Sequence, residues 1–271
     1  MEVAGYFLAA LVGISLGLIG GGGSILTVPI LVYLMGLTPL LATSYSLFIV
    51  GSTALAGAAN NYRKGFVNIK TALLFGIASI STVFTIRKFL LPVIPEVLYS
   101  NENFTITQSM TTMVLFGILM LLASVTMIKG KEDQLILKAA IKQNSHQVIK
   151  LILYGILIGL ATGFLGAGGG FLVIPTLVVL LKMPMKEAVG TSLLIIALNS
   201  LIGFTGDLGH FIINWELLLS ITLIAIAGIF IGGYLSKKIE GHKLKNAFGW
   251  FVLTMGIFIL VKEIYFYNPS I

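Results

Sequence analysis

The chain contains no cysteine, and only 10% of its 271 residues are charged. Without cysteine there is no disulfide framework, no thiolate nucleophile and no thiolate metal site. The low charge excludes a water-soluble globular domain, because such domains carry roughly 25% charged residues. Hydrophobic residues instead make up 57% of the chain. Several apolar runs exceed the ~20 residues that span hydrocarbon, so we predict an all-α polytopic membrane protein.

Sequence motifs for catalysis are missing as well. His146, His210 and His242 fall in predicted links without metal-ligand spacing, and no serine-protease, zinc-protease or paired-carboxylate pattern lies in apolar context. The chain has two glycine clusters, at residues 20–23 and 166–170. No Lys-Ser or Lys-Thr follows either of them, which excludes a P-loop. We therefore expect no enzymatic activity, no metal and no cofactor.

The net charge of +7 does not indicate a nucleic-acid partner. The lysines and arginines fall in short links between apolar segments, where positive charge orients helices toward the cytoplasm. The expected surroundings are membrane lipid, in the inner membrane of a bacterial cell.

Two glycine clusters dominate the sequence. The first occupies residues 20–23 and is followed by Pro29, and the second occupies residues 166–170 and is followed by Pro175. Both the clusters and the prolines are 146 residues apart. Clustered glycines break a helix, and a break survives in a membrane only where protein covers it or it lines a cavity. Matching breaks in two halves are the best sequence indication of a transporter's binding site.

The chain divides into a first repeat at residues 1–128, a basic cytoplasmic linker at 129–147 and a second repeat at 148–271. Each repeat is predicted to contain one glycine-broken, re-entrant or discontinuous helix followed by three spans. The predicted helical segments are 3–19 with 25–34, 41–59, 69–84 and 107–128, then 148–165 with 171–181, 188–205, 215–235 and 244–264. Residues 87–95 carry two prolines, which exclude an uninterrupted helix, and we predict an interfacial segment there.

Charge and length predict how the broken segments cross the membrane. If each one turns back at its glycines, the basic links all fall on one face, as the positive-inside bias requires. The number of crossings in each repeat is then odd, and the second repeat is inverted relative to the first. We therefore predict inverted repeats with both termini outside.

The chemistry available at such a break favours anions. The helix that follows begins with backbone N–H groups that have no intrahelical acceptor and that carry the positive end of the helix dipole. Ser24 and Gly170 occupy these starting positions. Two inverted copies can hold an anion without a lysine or arginine in the core, where a charge costs at least ~2.5–3.5 kcal/mol.

Polar residues of the neighbouring spans complete the predicted site. The predicted substrate-binding residues are Gly20, Gly21, Gly22, Gly23, Ser24, Ser46, Gly166, Gly168, Gly169, Gly170, Thr191, Ser192 and Asn199. Asp207 is a coupling candidate that either relays protons or caps a helix end near the headgroups. The alternative for any glycine is close helix packing, which we favour for Gly13, Gly17, Gly159 and Gly163.

The doubled glycine blocks, with Ala42-Thr43-Ser44-Tyr45-Ser46-Leu47 and Ala188-Val189-Gly190-Thr191-Ser192-Leu193, resemble the TauE/SafE family, also called the 4-toluene sulfonate uptake permease family. The resemblance implies transport of small sulfur-containing anions such as sulfite, sulfoacetate or other organosulfonates. It implies an exporter, and from the inverted repeats we predict alternating access around a midplane site.

Two alternatives to this carrier stay open. One is a passive anion channel of the same architecture, and the other is a membrane scaffold whose glycines only pack helices. The sequence also leaves a homodimer open.

Overall fold

A computed structural model of the chain describes residues 2–21, 23–101, 104–128, 147–181, 183–236 and 241–265. The helices of the first half are α1 (Glu2–Ile19), α2 (Ser24–Tyr33), α3 (Pro39–Arg63), α4 (Ile69–Thr85) and α5 (Gln108–Ile128). Those of the second half are α6 (Gln147–Leu165), α7 (Gly170–Leu181), α8 (Met185–Asp207), α9 (Trp215–Leu235) and α10 (Gly241–Tyr265). Gly22 and residues 129–146 of the predicted linker lie outside the described residues.

The described helices confirm a polytopic helical membrane protein. Five segments are long and apolar enough to cross a membrane: Pro39–Arg63, Ile69–Val93, Gln108–Val125, Met185–Asp207 and Trp215–Leu235. These five correspond to predicted spans, and the sixth predicted span falls within α10. Apolar composition therefore located the helices that surround the glycine clusters.

The segment after α4 differs from the prediction of an all-α chain. The helix continues into a π-helical turn at Ile86–Leu90 and a 3-10 turn at Leu91–Val93, where a proline cannot continue the α-helical hydrogen bonding. An antiparallel hairpin follows, made of β1 (Val97–Asn101) and β2 (Phe104–Thr107).

Both broken segments turn back at their glycines. A Cβ built on Gly23 would lie 2.7 Å from the Leu16 nitrogen, whereas a continuous helix would carry residue 23 roughly 10 Å beyond residue 16. In the second half, a Cβ on Gly169 would lie 2.9 Å from the Ile158 side chain. The first glycines of the turns, Gly20 and Gly166, have φ angles of 84° and 65°, which favour glycine. The predicted breaks are therefore present, and each produces a hairpin.

Helices of one half pack mainly on helices of the other half. Helix α1 packs on α9, and its counterpart α6 packs on α4, while α3 packs on α8 and α5 on α10. Helices α3 and α8 are antiparallel, because Gly51 faces Leu201 and Gly57 faces Leu193. If each helix is replaced by its equivalent in the other half, every one of these contacts becomes a contact that is also present.

Small residues make these contacts close. Gly13 and Gly17 of α1 lie against the α9 backbone, and Gly159 and Gly163 of α6 lie against residues 79–86. A Cβ on Gly159 would lie 2.7 Å from the Ser79 carbonyl oxygen. The interpretation of these four glycines as packing positions is confirmed.

Two adjacent glycines of α9 provide a test of this packing. A Cβ on Gly232 would overlap the Ile14 carbonyl of α1, whereas a Cβ on Gly233 would meet nothing within 4 Å. We expect Gly232→Ala to lower the stability by about 1–3 kcal/mol through overpacking, and Gly233→Ala to leave it unchanged. Thermal unfolding in detergent measures both, and equal melting temperatures would contradict the α1–α9 contact.

Candidate functional site at the paired glycine turns

The two glycine turns touch each other in the interior of the protein. A Cβ on Gly170 would lie 2.6 Å from the Gly21 Cα, and a Cβ on Gly21 would overlap the Gly170 carbonyl group. The sequence predicts that the breaks line a cavity, and this stays a prediction. The turns are in backbone contact because neither residue carries a side chain that would hold them apart.

Each turn leads into the first residue of a short helix. Ser24 begins α2, is fully buried, and donates a hydrogen bond of 2.9 Å from its hydroxyl to the Gly21 carbonyl. Gly170 begins α7 and touches the other turn directly. The first N–H groups of a helix have no intrahelical acceptor and favour negative charge. The N-terminal ends of α2 and α7 therefore lie next to each other in a region shielded from solvent.

Helices α3 and α8 place polar side chains around the turns. The Ser46 hydroxyl donates 2.8 Å to the Gly166 carbonyl of the opposite half. The Ser200 hydroxyl lies 3.2 Å from the Cβ position of Gly168, and Asn199 donates 2.7 Å to the Ser79 hydroxyl. Ser46, Asn199 and Ser200 are completely buried.

Several buried polar atoms of the hairpin helices and of α3 and α8 have no hydrogen-bond partner. These atoms are Thr27 Oγ1, Thr53 Oγ1, Thr162 Oγ1, Asn199 Oδ1 and Ser200 Oγ. Each unpaired buried group costs about 1–3 kcal/mol, so a cluster of them calls for an explanation beyond packing. Thr27 and Thr162 were not predicted from the sequence, although a threonine close to a glycine cluster in an apolar run is a usable signal.

The Thr191 hydroxyl helps to cap a helix of the opposite half. Its hydroxyl accepts 2.9 Å from the Asn68 backbone N–H at the start of α4. At the equivalent position of the first half, the Tyr45 hydroxyl accepts 2.6 Å from the Asn214 N–H at the start of α9. Ser192, in contrast, donates 2.8 Å to a carbonyl of its own helix.

Removing either cap contact is expected to lower stability. Thr191→Val or Tyr45→Phe leaves a backbone N–H without its acceptor, at a cost of about 1–3 kcal/mol each. Thr205→Val is the control, because that exposed hydroxyl bonds only within its own helix. Thermal unfolding measures the change. If Thr191→Val weakened anion binding at unchanged stability, Thr191 would belong to the binding site instead.

An ion pair that the sequence did not predict lies beside the second turn. Arg87 Nη1 is 3.0 Å from Asp207 Oδ2, and the two side chains are only 1% and 3% exposed. The same nitrogen donates 3.1 Å to the Thr43 hydroxyl. Thr43 in turn packs against the Gly166 Cα. The pair therefore connects α8 and α3 at the edge of the candidate site.

The pair changes the predicted chemistry of the site. Arg87 is buried in protein, since the π-helical turn and the nearby Gly206 bring its Cβ within 3.0 Å of the Gly206 Cβ position. Asp207 ends α8, and its carboxylate is buried and paired with Arg87. An arginine also lies close to the predicted anion site, where none was expected. An ionisable residue within a span indicates function by default, and that signal was available in the sequence.

Across the described ranges, no group of three or more His, Asp or Glu side chains is placed to hold a metal ion. The site offers hydrogen-bond donation from backbone N–H groups and hydroxyls, next to one guanidinium group.

Fold and site together define a polytopic helical membrane protein with two glycine hairpins that meet in its interior. Residues 6–259 match the family described as sulfite exporter TauE/SafE. The chain therefore belongs to the TauE/SafE family of membrane transporters.

Relatives in several bacteria support this assignment. A probable membrane transporter protein of Xylella fastidiosa is 31% identical over 93% of this chain and 92% of its own. The probable membrane transporter protein YunE of Bacillus subtilis is 28% identical over 82% and 84%. A third, from Haemophilus influenzae, is 25% identical over 94% and 96%. No solved structure gives a significant match to the chain.

Proposed function

We propose that the protein is a secondary transporter that exports sulfite, sulfoacetate or other organosulfonates by alternating access at the paired glycine turns. The observation that carries this proposal is the backbone contact between Gly21 and Gly170 among buried, uncharged polar side chains. Family membership and the names of the relatives support transport as the activity.

The donors around the turns suit an oxyanion. Sulfite and sulfonates present several oxygens on one sulfur, and each oxygen accepts hydrogen bonds. The helix starts at Ser24 and Gly170 supply N–H groups, and the Ser200 and Thr162 hydroxyls beside the second turn lack partners. Binding an oxyanion would satisfy these groups, which explains why the protein tolerates them unpaired.

Inverted repeats give this site a transport mechanism. The reciprocal helix contacts and the antiparallel packing of α3 on α8 support a pseudo-two-fold axis in the membrane plane. Rocking of one repeat against the other would then expose the site to each side in turn. A substrate enters only when Gly21 and Gly170 separate, which favours a carrier over a permanently open channel.

Flux in proteoliposomes tests the proposed activity. We expect saturable, gradient-dependent flux of sulfite and sulfoacetate, with chloride as the control anion. A saturating substrate should also raise the melting temperature in proportion to RT ln(1 + [L]/Kd). Absence of flux for every sulfur oxyanion would reject the function, and unsaturable conductance would favour the channel.

Single cysteines test the proposed topology, since the chain has none of its own. Inverted repeats with outside termini place the α3–α4 link inside and the α8–α9 link outside. We therefore expect an impermeant maleimide to label His210→Cys in intact cells, and to label Lys64→Cys only after permeabilisation. Both positions are exposed. Labelling of Lys64→Cys in intact cells would contradict the orientation.

A further inference from the structure

We propose that Arg87 binds the transported oxyanion through its Nε and Nη2 atoms, and that protonation of Asp207 compensates the charge of the bound anion. This inference rests on the proposed function and names both the recognition residue and the coupling ion. One proton would move with each anion, so the outward gradient of the anion itself would drive export.

Two of the three nitrogens of the Arg87 guanidinium group make no hydrogen bond. Nη1 makes both contacts, to Asp207 and to Thr43. Nε and Nη2 are buried and have no hydrogen-bond partner. These two nitrogens form one edge of the planar guanidinium, and such an edge matches two oxygens of an oxyanion in a bidentate pair. The unused edge is therefore suited to a sulfonate or sulfite group.

The position of Arg87 links this edge to the glycine turns. Thr43, which accepts from Nη1, packs with its backbone and Cβ against the Gly166 Cα. The Gly166 carbonyl accepts from Ser46 of the opposite half. A single residue, Thr43, thus separates the guanidinium from the second turn. An anion bound at the turn can reach the arginine through a small displacement of α3 relative to α8.

Asp207 is the group whose charge must change when an anion binds. The buried pair is neutral, and adding a monovalent anion would leave a net negative charge away from water, which is costly. Protonation of the Asp207 carboxylate restores neutrality, with the proton coming from solvent and no bond of the substrate changing.

The groups around Asp207 are consistent with this role. Those that face it are Arg87 from the π-helical turn, Ser44 from α3 and His210 from the α8–α9 link. Lys88, the next cation along the chain, is exposed.

The first half lacks the corresponding acid. Asn61 stands 146 residues before Asp207 and donates 2.9 Å to a carbonyl of its own helix. Because the charge occurs in one half only, the architecture shared by the two halves does not require it. A residue that couples transport to protons needs to occur only once.

Calorimetric binding of methanesulfonate to the purified full-length protein tests the proposal. This probe keeps one negative charge at all working pH values, so any proton taken up belongs to the protein. Titrations in two buffers of different ionisation enthalpy should show uptake of about one proton per anion in the wild type. Asp207→Asn should bind without proton uptake and independently of pH.

Substitutions of the arginine complete the test. Arg87→Lys keeps the positive charge but loses the two parallel N–H donors of the guanidinium group. Binding of methanesulfonate should therefore weaken about tenfold or more. Arg87→Gln with Asp207→Asn should fold, since no buried charge is left alone, and should bind no methanesulfonate. Lys88→Gln removes the neighbouring exposed charge and should bind like the wild type.

Several outcomes would overturn the inference. Unchanged affinity in Arg87→Lys, proton uptake that persists in Asp207→Asn, or no binding by the wild type would each do so. A purely structural pair would change the melting temperature without changing proton uptake.

Flux measurements separate this inference from the proposed function. Wild-type transport with an unaffected Arg87→Lys variant would reject the inference alone. Arg87-dependent binding without any flux in vesicles would reject the transport function alone.

Discussion

Replacing Gly21 with alanine is expected to slow sulfoacetate transport about five- to 150-fold, if overpacking costs the conformation with touching turns about 1–3 kcal/mol. The added methyl group would overlap the Gly170 carbonyl group of the opposite half. Both turns would have to move apart, and the conformation in which they touch would become rare. The initial rate of flux per reconstituted protein measures the effect. Gly170→Ala should behave in the same way, because the contact is mutual.

A matched control separates this effect from a general effect of alanine in a helix. Gly76 lies in α4, where a Cβ would make an ordinary contact of 3.6 Å with Ile80. Gly76→Ala should therefore transport at the wild-type rate. If Gly21→Ala did so as well, the meeting of the two turns would have no part in transport.

Replacing Arg87 with glutamine alone is expected to destabilise the folded protein by about 3–5 kcal/mol, the cost of leaving one partner of a buried ion pair uncompensated. The remaining Asp207 carboxylate is only 3% exposed and cannot recover its hydration. Adding Asp207→Asn should restore most of the loss, because two neutral amides then face each other. Thermal unfolding and the yield of monodisperse protein in detergent measure both variants.

Lys88→Gln provides the comparison for this variant too. It removes one positive charge at the next residue, but Lys88 is exposed, and its loss should leave the melting temperature unchanged. An Arg87→Gln variant as stable as Lys88→Gln would show that the pair is not buried as the structure places it.

The parts of the fold that the sequence predicted depend on local properties. Apolar runs fix where helices lie, and the clusters at residues 20–23 and 166–170 break them because glycine weakens any helix. The constant spacing between the clusters predicted related halves. Gly13 and Gly159 were correctly interpreted as packing positions, since small residues on apolar helices meet other helices closely.

The parts that it did not predict depend on contacts between the halves. Arg87 and Asp207 are far apart in the chain, and only the packing of residues 86–90 against α8 brings them together. The hydroxyl of Thr191 could not be assigned either, because its partner is a backbone N–H of the first half.

The roles of the site residues remain predictions. Gly20, Gly166 and Gly168 have the positive φ angles that their turns require, and Ser46 bridges to the second turn. Gly22 lies outside the described residues. Ser24, Ser46 and Asn199 are buried within the same polar region as the turns, which keeps them in the proposed site.

Counterflow in proteoliposomes tests most directly whether one interior site serves both membrane faces. Vesicles are loaded with unlabelled sulfoacetate and diluted into a trace of radiolabelled sulfoacetate. A carrier with a single alternating site should accumulate label transiently above its equilibrium level, and Gly21→Ala should remove this overshoot. Label that rises to equilibrium without an overshoot, or an overshoot of full size in Gly21→Ala, would contradict the account.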